Sequence, residues 1–332
     1  MKQLLPKTLS LAILVLIANL FFTGTAIGQT NYYYKGTGNL NSVANWGTNT
    51  NGTGSAPSNF TTANRIFNIR NVASVSNSGT WTVSGSGSKI VVGDGTNACN
   101  LTIPTGSNTI VGTVDVSAGA TLTLTNTTLP TLGTLNAAST VVYNGSGTQN
   151  ITAVTYGNLT YSGSSTGTFA GACTIAGDFS CTSGSVTFNS SNSARTFTIS
   201  GDFSMSSTGT IEFGGGNGTS VINLSGNFSK TNGYMVTTNA ALNADFNMVG
   251  TAQTMQSTGG TIMKWVDFTI ASGSVCTLAG DFNMNGSSGT SMIFTVSSGG
   301  TLNTNGFNII GSATGNTFTL SSGGTLEITS TA

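Results

Sequence analysis

Charge is what this sequence has least of. Nine of its 332 residues are Lys or Arg and nine are Asp or Glu, 5% of the chain, against about 25% in an ordinary globular protein. The formal net charge is zero, and no basic run exists that would hold nucleic acid or an anionic membrane surface. Histidine is absent altogether. That excludes a Ser/His or Cys/His nucleophile pair and any zinc site with a His ligand. Helical periodicity is also missing beyond the first residues, and no linker divides the rest of the chain.

What remains is glycine, 46 residues of it, with Ser, Thr and Asn at most polar positions. Such a composition can mean disorder. The 37% of hydrophobic residues and their regular spacing argue against that. The stretch Cys173-Thr174-Ile175-Ala176-Gly177-Asp178-Phe179-Ser180-Cys181 returns almost intact as Cys276-Thr277-Leu278-Ala279-Gly280-Asp281-Phe282-Asn283-Met284. Looser copies end in Phe203-Ser204-Met205, Phe228-Ser229-Lys230, Phe246-Asn247-Met248 and Phe307-Asn308-Ile309. The Phe positions step from Phe179 to Phe203 to Phe228 by 24 and 25 residues, and from Phe282 to Phe307 by 25. A period of roughly 20–50 residues marks a stacked repeat.

Within each copy apolar and small polar residues alternate, which reads as short strands with one buried face. The Gly-Asp or Gly-Asn pair before each Phe marks a corner, because glycine tolerates positive φ and Asp or Asn hydrogen-bonds nearby backbone. A rung of this kind buries its face only against the rungs above and below. The expected fold is all-β, a right-handed parallel β-helix (a β-solenoid). Phe179, Phe203, Phe228, Phe282 and Phe307 are expected to form an internal ladder at about 4.8 Å spacing. A longer duplication overlies the short period: Gly147-Thr148-Gln149 is echoed by Gly250-Thr251-Ala252-Gln253, and Asn158-Leu159-Thr160-Tyr161 by Asp267-Phe268-Thr269-Ile270.

Residues 1–28 read as a secretory signal peptide: Lys2 and Lys7, an apolar run from Leu9 to Phe22, and Ala26-Ile27-Gly28 as a small-residue cleavage site. The apolar run falls short of the roughly 20 residues of a membrane span, so secretion is expected, with no span after cleavage. Residues 29–75 differ in composition and are expected to cap the first rung, which would otherwise expose an unpaired edge. The alternative use of this region is an aromatic sugar-binding platform made by Tyr32, Tyr33, Tyr34 and Trp46. Residues 76–332 are expected to form the repeats. Thr325-Leu326-Glu327-Ile328-Thr329 is still in strand pattern, which fits a chain that is part of a longer protein.

Tyr34-Lys35-Gly36-Thr37-Gly38, Asn45-Trp46-Gly47-Thr48-Asn49, Val92-Gly93-Asp94-Gly95, Val142-Tyr143-Asn144-Gly145-Ser146-Gly147-Thr148-Gln149 and Tyr156-Gly157-Asn158-Leu159-Thr160 carry a resemblance across the mature chain. On these stretches it resembles secreted Bacteroidota surface proteins, adhesin-like and built of right-handed parallel β-helices. The resemblance implies a location outside the cell or on its surface, with glycan or cell-surface material as partner. Such proteins commonly end in a type IX sorting domain, and no such pattern precedes Ala332.

Parallel β-helices also include polysaccharide lyases and hydrolases, and glycoside hydrolysis usually needs two carboxylates facing one substrate. Asp178, Asp202, Asp245 and Asp281 occupy the corner before the motif Phe, where another copy has Asn227. Interchange of Asp and Asn points to use of the shared oxygen rather than the charge. The alternative is a Ca²⁺ shared by Asp178 and Asp202 on adjacent rungs. Cys99, Cys173, Cys181 and Cys276 permit three complete pairings. Met205, Met248 and Met284 match Cys181 in other copies, however, so buried thiols are expected; Cys173–Cys181 is the disulfide to check. Thr-x-Thr runs around Leu122, Phe197 and Phe318 raise a third possibility, an ice-binding face, although threonine is an ordinary strand residue and the runs are unevenly spaced. The reading that results is a secreted, non-catalytic, structural or adhesin-like protein with no cofactor.

Overall fold

The computed structural model describes residues 28–215, 218–238, 243–284, 292–311 and 314–329. Residues 1–27, the bulk of the expected leader, lie outside them, as does part of the glycine tract at 214–218. Among the described residues there is no α-helix, only a short 3-10 turn at Val43–Asn45. The chain winds into a β-solenoid of about ten turns.

Four larger sheets carry the coil, and a fifth pairs only Trp81–Thr82 with Ile110–Val111. A thirteen-stranded sheet runs from Ser74–Ser76 to Thr325–Glu327. A six-stranded sheet beside its first half holds Thr30–Tyr34, Arg65–Ile69 and Lys89–Val92. A second six-stranded sheet begins at Gln149–Ile151, and a seven-stranded one at Thr174–Ile175, ending at Thr317–Leu320. Parallel pairing runs through all of them. Parallel strands leave no hairpin option, so each sheet grows by one strand per turn of the coil.

Alternation puts every second residue inside. In the long sheet one column reads Leu101, Leu122, Val141, Leu159, Phe179, Phe203, Phe228, Met255 and Leu278, each opposite the next. Phe179 and Phe203 have ring centroids 5.2 Å apart, and Phe203 and Phe228 stack at 5.5 Å. Burying each such ring contributes roughly 1.5–3 kcal/mol. The expected ladder is therefore present over these three residues.

It ends differently from the expectation. Met255, not another Phe, follows Phe228, and Phe282 lies opposite Ser257, though its buried ring still comes within 5.9 Å of Phe228. Phe307 is not in the ladder at all: it is exposed, and Ile309 stands opposite Phe282. The cause is local. Asn305 and Gly306 both have positive φ, 48° and 80°, and the Phe307 N–H donates to the Thr304 carbonyl at 2.8 Å. Two successive left-handed residues closed by that bond make a type I′ turn. Asn305-Gly306-Phe307 is thus a turn, not a copy of Gly-Asp-Phe.

A second ladder went unread in the sequence. Phe197, Ile222, Phe246, Phe268, Phe294 and Phe318 follow one another in the seven-stranded sheet. Asp245 precedes Phe246 on that sheet, in the strand Ala244–Met248, and so is not a corner residue. Met248 lies in the same strand, so of these two methionines only Met205 stands in register with Cys181, whose other neighbour is Tyr161.

The long duplication also lands on different faces. Gln149 sits in the second six-stranded sheet and Gln253 in the thirteen-stranded one. Both do the same work. Gln149 accepts the Gly145 N–H and donates to the carbonyls of Leu124 and Asn126; Gln253 accepts the Gly250 N–H and donates to those of Leu224 and Gly226. Each buried amide thereby satisfies main-chain groups that water cannot reach.

Trp46–Gly47 pairs antiparallel with Thr30–Tyr34 at the sheet edge. Trp46 packs within 5.4 Å of both Phe67 and Trp81, and Phe60 within 5.5 Å of Trp81.

Candidate functional site

Three of the four aromatic residues expected to meet sugar face the wrong way. In the strand Thr30–Tyr34 alternation turns Tyr32 and Tyr34 inward, and Trp46 is fully buried. Their polar tips are satisfied locally, Tyr34 Oη donating to the Gly38 carbonyl and Trp46 Nε1 to that of Leu40. That is what lets such side chains go inside. Only Tyr33 reaches the surface, with the Arg70 guanidinium 5.8 Å from its ring centroid. The platform of four does not form.

The corner acids make a ladder of their own. Asn158 Oδ1 accepts the main-chain N–H of Asp178 at 2.9 Å, Asp178 Oδ1 that of Asp202 at 2.8 Å, and Asp202 Oδ1 that of Asn227 at 2.7 Å. Asn227 Oδ1 then accepts from Thr254 N at 2.7 Å. Asp281 repeats the arrangement with Asn308 N at 2.9 Å. One oxygen of each side chain ties its rung to the next, which either Asp or Asn can do.

Two acids behave otherwise. Asp245 and Asp267 stand opposite each other on adjacent outer strands. Burial raises both carboxyl pKa values, and for Asp245 the neighbouring Asp267 adds to the effect. Asp267 Oδ1 accepts Ile293 N, and its Oδ2 accepts Asn243 Nδ2, both at 2.8 Å. Glu212, also raised by burial, accepts N–H groups of Gly214 and Thr238 at 2.9 Å. Among the described residues no three acidic or Cys side chains gather where one metal ion would bind.

The described basic side chains are committed as well. Arg70 pairs with Asp94 at 3.1 Å and Lys89 with Asp115 at 2.6 Å. Hydrogen bonds from the Asn97 and Thr96 N–H groups hold the Asp94 carboxyl down at about 2. Lys35 donates to the Ala44 carbonyl at 2.6 Å, Arg65 to Thr30 Oγ1 at 2.6 Å, and Arg195 to the Phe169 carbonyl at 2.8 Å.

Lys230 departs from the apolar residues that fill this position in the neighbouring copies. Phe228-Ser229-Lys230 aligns with Phe179-Ser180-Cys181, and in the fold Cys181, Met205 and Lys230 follow in one inward column. Lys230 is fully buried, and its ammonium donates to the Gly259 carbonyl. Burial pulls its pKa down to about 8. The four cysteines are unpaired, three of them buried, and burial pushes Cys173, Cys181 and Cys276 up to about 12. Thiols held that far from ionisation are poor nucleophiles.

The outward positions form columns. On the seven-stranded sheet Thr174, Thr198, Asn223, Asn247, Thr269, Thr295 and Thr319 stand in register on consecutive rungs, and Asn247 Nδ2 donates to Asn223 Oδ1 at 3.0 Å. Thr198 and Thr319, one from each of the Thr-x-Thr runs around Phe197 and Phe318, belong to this column although they are distant in sequence. Its neighbour is mixed: Thr196, Val221, Asp245, Asp267, Ile293 and Thr317. On the long sheet Thr102, Thr123, Val142, Thr160, Ser180, Ser204 and Ser229 make a comparable column. Comparison with known protein families, with curated proteins and with solved structures finds no match to this chain.

Proposed function

We propose that this chain is a secreted, non-catalytic β-solenoid acting as a structural or adhesin-like protein at a cell surface, in keeping with its resemblance to Bacteroidota surface proteins. The observation that carries the reading is the corner ladder Asn158, Asp178, Asp202, Asn227. Acids that a glycosidase would aim at substrate are spent here on main-chain N–H groups of the next rung. General acid–base chemistry needs its groups within hydrogen-bond reach of one substrate. The described basic side chains are instead bound to carbonyls, a hydroxyl or a salt-bridge partner. What the coil offers outward is a series of neutral hydroxyl and amide columns, suited to many weak contacts along a glycan or a neighbouring surface.

The test is to incubate the purified chain with acidic and neutral polysaccharides. Reducing ends and unsaturated products are assayed, and retention on the same polysaccharides is measured in parallel. Retention without cleavage is expected. Reproducible turnover lost on changing Asp245 or Asp267 would instead make the chain an enzyme. The unbroken Thr/Asn column favours a second reading, binding to ice. Thermal hysteresis would support it, and its absence would leave the column a plain outer face.

A further inference from the structure

We propose that a cleft beside the first turns of the coil is a binding site for a neutral oligosaccharide. The proposal deepens the reading of the chain as adhesin-like and rests on it. Three segments, each with described residues on both sides, enclose the cleft: 41–43, 58–61 and 80–82. Its volume is about 590 Å³, within the roughly 300–1,000 Å³ of small-molecule sites. Asn41, Ser42, Asn59, Phe60, Trp81 and Thr82 line it, and none of the described residues around it is charged.

Polar groups here are left unused, unlike the corner acids and the basic side chains. Ser42 stands at the N-cap position of the Val43–Asn45 turn yet makes no capping bond. Thr82 is half-buried, and neither its hydroxyl nor the Asn41 amide has a hydrogen-bond partner among the described residues. Asn59 is fixed through one end only. Its Oδ1 accepts the N–H groups of Thr61 and Thr62 at 2.8 and 2.9 Å, which leaves Nδ2 a single long contact, 3.5 Å from Ser58 Oγ. A donor held in place this way loses little freedom when a ligand takes it up. The Trp81 indole N–H is buried and unpaired, whereas buried donors in folded proteins nearly always have an acceptor.

These features define the ligand. An acid or an amine finds no counter-ion around the cleft. Free amide and hydroxyl groups match a ligand rich in neutral hydroxyls, each able to donate and accept. The half-buried Phe60 ring, edge-on to Trp81 at 5.5 Å, adds an apolar surface for the C–H face of a sugar ring. A ligand hydroxyl, directly or through one water, supplies the acceptor that Trp81 Nε1 lacks. The sugar contact expected of Trp46 thus passes to Phe60 and Trp81, the two rings packed on it.

The purified chain is titrated with a panel of neutral oligosaccharides, gluco-, manno- and xylo-tetramers among them, and with an oligogalacturonate as acidic control. A neutral member should bind and the acidic control should not. Asn41→Ala and, separately, Thr82→Val should each weaken binding roughly 2–10-fold, as for one lost hydrogen bond, with unchanged far-ultraviolet circular dichroism. The Trp81 indole N–H resonance, assigned by its loss in Trp81→Phe, should shift as the oligosaccharide binds. Binding that keeps its strength in both cleft variants, or that leaves this resonance in place, would overturn the cleft. Should that binding disappear in Thr269→Val with Thr295→Val, the outer columns hold the glycan and the adhesin-like reading stands. No binding by any neutral member would overturn the cleft, and loss of all polysaccharide retention as well would overturn the glycan reading with it. Preference for the acidic control would overturn the neutral assignment.

Discussion

Phe197 and Phe318 each lie between two threonines on strands of one sheet, yet Phe197 is fully buried and Phe318 is 42% exposed. The Thr-Phe-Thr pattern is the same; the difference is that the Phe197 strand is paired on both sides and the Phe318 strand, among the described residues, on one. In a stacked repeat each unit is buried by its neighbours rather than by itself. The amino-terminal end answers this with residues that break the repeat, a reversed strand and a Trp46–Phe60–Phe67–Trp81 cluster. The described residues around Phe318 keep to the repeat pattern.

The largest effect that tests this contrast comes from truncating the same residue type at both places. Phe203→Ala should cost about 3–5 kcal/mol, as core aromatic truncations do. Phe318→Ala should cost under about 1 kcal/mol, the range of a partly exposed residue, when melts are run in denaturant. Equal losses would mean that burial is not supplied by the next rung.

Lys230 sharpens the comparison from within, since an interior rung there carries a charge that the column elsewhere avoids. Its folded pKa of about 8 lies below the ordinary lysine value of about 10.4. Between the two values the unfolded chain binds the extra proton, so stability should climb as pH rises through about 8 to 10. Below about pH 8 the full penalty applies, roughly 3 kcal/mol at 1.36 kcal/mol per unit. Lys230→Met, matching Met205, should raise neutral-pH stability by an amount of that order and remove the alkaline climb. Lower stability in that variant would show that the bond to the Gly259 carbonyl outweighs the buried charge.

Smaller effects separate the two kinds of acid. The raised carboxyls of Asp245 and Asp267 hold protons more tightly in the folded chain. Their contribution is favourable in acid and is lost as pH rises from the ordinary carboxylate range through the raised values. Asp245→Asn should therefore stabilise the neutral-pH fold, by less than about 1 kcal/mol because Asp245 is exposed and Asp267 only half-buried. Asp202→Asn should shift stability by no more than about 0.5 kcal/mol, because Asn227 already fills the equivalent place. Calcium-dependent loss of stability in Asp202→Asn would reveal a metal site at the corner.

Much of this was legible beforehand. Alternation and the Gly-Asp-Phe spacing pointed to stacked rungs, and Asn227 among the corner acids pointed to a shared oxygen acceptor. Failures came where one-dimensional similarity hid geometry. Asn305-Gly306-Phe307 resembles the motif in composition but reverses the order of Asn and Gly, and two positive φ values make it a turn. Asp245-Phe246 resembles it too, yet sits on another sheet because rung lengths drift. The tyrosine triplet is contiguous in sequence, but strand alternation turns Tyr32 and Tyr34 inward, so it makes no surface platform. Whether scattered threonines align depends on register, which spacing alone does not reveal.

The corner ladder has a direction. In every link the earlier residue accepts and the later one donates: Asn158 receives from Asp178, Asp178 from Asp202, Asp202 from Asn227. A chain is synthesised from its amino end, so each finished rung already displays the acceptor that the next must find. The antiparallel Trp46–Gly47 strand is also made before the rungs that stack beyond it. Assembly can thus proceed as a zipper closing one tooth at a time from a fixed stop, with the growing edge always at the youngest rung.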